Sequence, residues 1–303
     1  MSERTSREFE PSKEQEPSVE STVALRFMRH AEKEKLDIPD DDIPLTVPGR
    51  MNAWRKGTRT HAKPEVSVAV GSPKKRTRET SAHVMLGSRV APHADLEEME
   101  REIARFLKVG KKVMTDERLN LGAVGPVGIE TNKSYDENAY FRYLAEKSDL
   151  RAEELHDLES GTLKRYAGNV AELIQHYLEI SDAFHGVVEN DSEKYKKYSN
   201  RLERYLGTHV GIQESFIVKV LEKLSEDTRR RVFIEAYPNG FAELQGMNID
   251  ISTHGRERTI FLTYEVPDKS GHPKTERIMF GADVLEQIIE ERYQFEQAVA
   301  EKE

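Results

Sequence analysis

An α/β fold with a mostly parallel sheet is predicted by two features of the chain. Short apolar runs at 22–28 and 65–72 alternate with longer amphipathic segments, the pattern of strands joined by helices. The first run stops abruptly at Arg29-His30 and the second at Ser72, so polar residues capable of chemistry sit where parallel strands end. The 18 glycines and 12 prolines do not suggest disorder across the whole chain.

Residues 1–20 are expected to be a disordered tail, since "MSERTSREFEPSKEQEPSVE" has no apolar core and reads as neither a signal peptide nor a membrane anchor. Residues 22–28 form the first strand. "DIPDDDIPLTVPGR" reads as a solvated loop; it lacks the glycine and terminal glutamate of a calcium loop. "GRMNAWRKGTRTHA" is helical, with Trp54 as packing, and "EVSVAVGS" at 65–72 is the second strand. A helix is expected from Ser72 as N-cap with Pro73 at the first helical position. Residues 95–110 form another helix that ends near Gly110. "DERLNLGAVGPVGIETNKS" is rich in turns; its glycines at 122–128 form neither a P-loop nor a dinucleotide fingerprint and suit a flexible or connecting loop. Residues 136–186 are mostly helical in pattern. His209 immediately precedes an amphipathic helix. "NGFAELQGMNIDISTHGRERTIFLTYEVPD" reads as two strands joined by a turn, and a last amphipathic helix runs from Ala282 to about Glu303.

The formal net charge of −9 disfavours bulk binding of nucleic acid or an anionic membrane, and the basic stretch "SPKKRTRET" shares its helix with Glu79. No cysteine is present, which removes disulfides, thiolate metal sites and cysteine nucleophiles and fits a cytoplasmic setting. No run reaches the roughly 18 apolar residues of a membrane span. His83, His93, His176 and His185 have no partners at ligand spacing, and no metal site is expected.

Three elements within 60 residues then come together: Arg29-His30-Ala31 after a strand; Leu45, Thr46 and Gly49 leading into a helix; and Ser72-Pro73 with Arg76, Thr77 and Thr80 at the end of the next strand. In this order they resemble the histidine phosphatase (phosphoglycerate mutase-like) superfamily. Thr208-His209-Val210-Gly211 resembles its second histidine turn, although "NRLERYLG" before it is poor strand sequence; the rival Thr253-His254-Gly255 is followed by a strand rather than a helix, so His209 is preferred. The resemblance implies a three-layer α/β/α domain over 21–303, with a helical cap insertion over 111–200 that shapes the substrate site. Tyr135, Asn138, Tyr140 and Arg142 are possible lining residues.

It also implies a metal-independent phosphomonoesterase without a cofactor, acting on a small phosphorylated molecule. His30 would be the nucleophile, passing through a phosphohistidine, His209 its partner in a protonated or donor state, and Arg29 and Arg76 the phosphate-binding residues. Guanidinium suits this task because its planar donors match phosphate oxygens. The family's general acid would fall at Leu121, so the proton donor is open among Glu117, Asp116 and Glu214, in that order. A catalytically impaired binding protein and a mutase are the alternatives.

Overall fold

A computed structural model describes residues 19–60, 63–87, 94–109, 113–122, 124–268 and 270–301. β1 (Glu20–Arg29) is buried over most of its length because it is paired on both edges. β4 (Arg201–Thr208) runs parallel to it on one side, and β5 (Met247–His254) antiparallel on the other. β2 (Ser67–Gly71) and β3 (Val113–Thr115) extend the parallel half; β6 (Glu257–Pro267) and β7 (Pro273–Phe280) extend the antiparallel half. The order is β3-β2-β4-β1-β5-β6-β7, so four parallel strands carry their carboxyl ends to one edge.

Helices cover both faces. On one, α1 (Val47–Thr60), α2 (Lys75–Leu86) and α3 (Leu96–Val109) bury Trp54, Met85 and Met99 against Met28, Ala69 and Tyr205. On the other, α7 (Leu163–Asn190), α9 (Ile212–Lys223), α10 (Asp227–Ala236) and α11 (Ala282–Ala300) bury Ile174, Phe216, Phe233 and Leu285 against Leu25, Leu206 and Ile249. The α/β/α layering is as expected, but the sheet is mixed rather than mostly parallel, with three parallel and three antiparallel pairings. The stretch anticipated as a cap holds α4 (Gly125–Asp136), α5 (Tyr140–Glu146), α6 (Ser148–Leu155) and α8 (Ser192–Lys196) besides α7.

The register of β4 explains why its sequence is deceptive. Its first half is charged, yet those residues find cross-strand partners: Arg201 and Arg26 both reach Asp250, at 2.9 and 2.8 Å. Glu203 accepts from the Tyr205 hydroxyl, and Arg204 lies over the Tyr177 ring of α7. Its second half, Tyr205–Thr208, is buried. Strand propensity reflects such neighbours more than the residues alone.

Four other local expectations change. Ser72 does not cap α2, which begins at Lys75; proline disfavours helical geometry in the residue before it, and the Ser72 hydroxyl instead meets the Thr77 hydroxyl and His209. The glycine-containing stretch at 122–128 is not wholly a loop, because Gly125 opens α4 with a proline in its first turn. The short β3 and the mostly exposed β7 were not anticipated. Of the tail expected over 1–20, residues 1–18 lie outside the described residues and Glu20 opens β1. His93 and Gly110 also lie outside them.

Candidate active site

Parallel pairing brings the first site residues together. Arg29 of β1 stands beside Thr208 of β4, and the ladder continues one step further as His30 N–H donates to the Thr208 carbonyl at 2.9 Å. His30 and His209 therefore leave adjacent strand ends side by side, with ring centroids 5.3 Å apart and edge-to-face. Gly71 of β2 pairs with Gly207, which puts Ser72 next in line; its hydroxyl lies 2.9 Å from His209 Nε2. Gly211, at φ +89, then turns the chain into α9, a conformation that glycine adopts without strain. His254 sits at the opposite end of the sheet, where β5 pairs it with Glu20. The structure thus brings His209, and not His254, to His30.

The surrounding polar residues hold this edge in place. Thr46 caps α1 by accepting from Gly49 N–H at 2.9 Å, and Leu45 N–H donates to Glu79 at 2.8 Å. Thr80 accepts from Ala31 N–H at 3.1 Å, fixing the backbone just after His30. Thr77 donates to the Ser72 and Lys74 carbonyls. Arg29 donates to the Phe241 carbonyl at 2.6 Å and to the Tyr135 hydroxyl at 3.4 Å. Tyr135 is the one anticipated lining residue that reaches a site group; Tyr140 is buried beneath it, Asn138 turns the chain at φ +55, and Arg142 lines a different cleft with Arg230 and Arg231.

The His30 ring has a defined tautomer. Its Nδ1 lies 2.7 Å from the Ala31 carbonyl, which can only accept, so Nδ1 carries the proton and Nε2 the lone pair in the neutral ring. Burial lowers its pKa to about 3, with Arg76, Arg29 and Lys33 adding to the effect. His209 is also held well below the usual range, first by burial and then by His30 and Arg76. Both effects favour the neutral imidazole over the protonated state expected for His209.

Arg76 anchors the loop that the sequence presents as solvated. It is almost fully buried, and its terminal nitrogens are taken by Asp40: Nη1 reaches Oδ1 at 3.0 Å and the Asp40 carbonyl at 2.8 Å, while Nη2 reaches Oδ2 at 3.1 Å. Lys74 and Lys33 converge on the same carboxylate, at 2.6 and 3.2 Å. The loop read as solvated is therefore tied to the site. Burial pushes the Asp40 carboxyl up, but the three cations more than reverse this and hold it well below the usual carboxylate range. A sequence signal existed in the match of Asp40-Asp41-Asp42 to Lys74-Lys75-Arg76.

The three candidate acids separate. Asp116 is locked in a bidentate pair with Arg118, at 2.9 and 2.7 Å. Glu214 is fully buried and accepts from the Gly211 and Phe241 N–H groups, at 2.9 and 2.7 Å. Since the Phe241 carbonyl holds Arg29, Glu214 positions Arg29 through one residue. Glu117 is exposed in a 3-10 turn that abuts the site edge: Asp116 N–H donates to the Gly71 carbonyl, and the Thr208 hydroxyl donates to the Leu119 carbonyl. Among the described residues no group of three His, Asp or Glu side chains could hold a metal ion. A cleft of about 490 Å³, lined in part by Arg26, Lys56, Tyr205 and Glu265, includes neither His30 nor His209 in its walls.

Residues 25–106, the stretch carrying Arg29, His30 and Arg76, match the family model of the histidine phosphatase superfamily (branch 1). That stretch, about a quarter of the chain, is what is similar to the histidine phosphatase superfamily. His209 lies outside the matched stretch and joins the site through the β1–β4 register. Among solved structures, the chain is similar to mycobacterial glucosyl-3-phosphoglycerate phosphatase, at 14% identity over 78% of this chain and 91% of that one, with a TM-score of 0.39. It is similar too to phosphoserine phosphatase from Entamoeba histolytica, solved with 3-phosphoglyceric acid, at 14% identity over 87% and 99% of the two chains and a TM-score of 0.37. Likeness at this level bears on neither the activity nor the substrate of this chain. A search of curated proteins finds no match.

Glu214 has a measurable signature. Burial raises its carboxyl to about 7 against the opposing hydrogen bonds. A raised acid stabilises fully below its unfolded value of 4.5 and loses that contribution as pH rises to about 7. His30 and His83, lowered to about 3 and about 4, act oppositely: their contribution is present above 6.5 and lost as pH falls. Replacing Glu214 with Gln is expected to cost about 1–3 kcal/mol, because one buried N–H loses its acceptor. Between pH 4.5 and 6.5, where the three groups overlap, unfolding free energy should climb more steeply in the variant than in the wild type, by up to about 1.4 kcal/mol per pH unit. Parallel profiles from denaturant titrations would rule this out.

Proposed function

We propose that the chain is a phosphomonoesterase that hydrolyses a small phosphorylated substrate through a phosphohistidine, without a metal ion or other cofactor. The observation that carries this reading is the neutral His30 ring, with its lone pair on Nε2, beside His209 at one strand edge. In the first step Nε2 attacks phosphorus; the N–P bond forms, the ester P–O bond breaks, and the leaving oxygen takes a proton. In the second, water attacks phosphorus, the N–P bond breaks, and phosphate and the free imidazole are regenerated. Splitting the reaction in this way replaces one difficult step by two easier ones. Arg29 and Arg76 supply donors to the phosphoryl oxygens, and His209 becomes protonated beside the phosphoryl charge and stabilises it. Glu117 is the proposed proton donor, since Asp116 and Glu214 are committed to Arg118 and to backbone N–H groups. Of the stretch 111–200 read as a cap, α4 supplies Tyr135 to Arg29 and with α5 and α6 is the proposed cap, whereas α7 packs on the sheet.

Leu121 at the position of the family's acid favours a second reading, a member of this fold that binds phosphorylated ligands with impaired turnover. General acid help is worth about 10²–10⁴ in rate, so sugar phosphates suffer more from its loss than aryl or acyl phosphates. Phosphate release from such a panel, without added metal, separates the two readings. Binding of phosphate or vanadate with no turnover of any ester supports the second. The assignment of the second histidine is tested on the same panel. His209→Ala should lose at least about 100-fold in kcat/KM, the scale of one electrostatic stabiliser, while His254→Ala stays near wild type. The opposite pattern would overturn the choice.

A further inference from the structure

The loop between the Arg29-His30 strand end and α1 has an anchored stem and a loosely held tip. Residues 32–34 pair with 44–46 through Thr46 N–H to Glu32, Glu34 N–H to Pro44 and a bridge between Lys33 and Leu45. Ile43 is buried at the foot of the loop, whereas every residue from Lys35 to Asp42 is exposed. No apolar burial fastens that tip. Its attachment to the protein is ionic: Asp40 on Arg76, Lys74 and Lys33, and Asp41 on Lys74 at 3.0 Å. The Asp40 carboxylate engages Arg76 through both terminal nitrogens, the bidentate geometry in which guanidinium also grips phosphate. Arg76 Nε is buried without a partner, so the guanidinium retains an unused donor.

We propose that Asp40 is an internal competitor for the phosphoryl group: its carboxylate occupies the anion-binding face of Arg76, and a phosphate ester takes that face only by displacing the 35–42 tip. This rests on the reading of Arg76 as a phosphate-binding residue. The exchange replaces a carboxylate of charge −1 by a phosphate monoester approaching −2 among Arg76, Lys74 and Lys33. Ligands with less charge and fewer oxygens, such as simple carboxylates, displace Asp40 less readily. Asp40 thus sets a threshold for entry, and apparent affinity falls by the fraction of molecules in which the tip is docked.

The test is calorimetric titration of inorganic phosphate, at fixed ionic strength, into wild type, Asp40→Asn and Asp41→Asn. Asp41 lies on the same tip and carries the same charge but pairs with Lys74 and not with Arg76, so its variant reports the loss of one charge and one tether with Arg76 still covered. Asp40→Asn is expected to bind phosphate about tenfold tighter, with the tip released from Arg76, and Asp41→Asn to stay within about twofold of wild type. Unchanged or weaker binding by Asp40→Asn would show that Asp40 merely orients Arg76, and an equal gain in Asp41→Asn would reduce the effect to net charge; either result overturns the proposal. Tighter binding by Asp40→Asn with no ester hydrolysed by any variant keeps the competitor and sinks the hydrolase. Wild-type hydrolysis without a gain in Asp40→Asn does the reverse. Absence of phosphate binding by all three proteins rejects both.

Discussion

His30→Ala is expected to release no phosphate above background from an aryl phosphate, a loss of roughly 10⁴-fold or more, and to form no acid-labile phosphoryl adduct. The expectation follows from the geometry of one ring. Hydrogen bonding to the Ala31 carbonyl commits Nδ1, so a single nitrogen is free to attack. Burial and the cations Arg76, Arg29 and Lys33 keep the ring unprotonated down to about pH 3. The rate should therefore show no limb near pH 6.5 from loss of the nucleophile. His209 cannot take over, because its Nε2 is held by Ser72. The fold should survive, since removing a neutral, partly buried imidazole relieves a cost at low pH rather than creating one. Rapid quench of labelled substrate followed by acid and base treatment provides the measurement. An adduct that persists in His30→Ala would place the nucleophile elsewhere.

Gly207→Ala is expected to cost about 3 kcal/mol of stability and most of the activity. A methyl group at Gly207 would stand 2.1 Å from the Thr77 carbonyl oxygen, a backbone atom that cannot rotate away. Neither side yields easily. β4 is laddered to β1 and β2 on its two edges, and Thr77 is bonded to Ser72 and Lys74. Relief requires α2 to lift from the sheet, which moves Arg76 on one side of the contact while Gly207 lies two residues from His209. Gly186→Ala provides the contrast. It lies within α7 with nothing within 4 Å of the added carbon, so the better helix former should stabilise by about 0.5–1 kcal/mol. Thermal unfolding of both variants distinguishes a specific close approach from a general intolerance of alanine. Equal midpoints would contradict the packing argument.

Much of the site was legible because its residues lie at the ends of ordinary elements. The strands at 22–28 and 65–72 announce themselves by local apolar pattern, and Arg29, His30 and Arg76 follow close after their ends. β4 was less legible: its arginines and glutamate look unlike a central strand until Asp250 and the Tyr177 ring are beside them. As sequence, the carboxylates at 117, 116 and 214 were all candidate acids, ranked in that order. Only Arg118, the Gly211 and Phe241 N–H groups and the degree of burial divided their tasks.

By itself, then, the sequence determined the alternation of strands and helices, the absence of cysteine chemistry and the first histidine with its two arginines, because these depend on neighbours a few positions apart. Tertiary structure decided which second histidine faces His30, where each carboxylate is committed, and that Asp40 rests on Arg76. The second histidine depends on strand register and the Asp40 contact on a charge 36 residues away, while Asp116 and Glu214 are divided by their burial and their partners, on which the free energy of a charge depends.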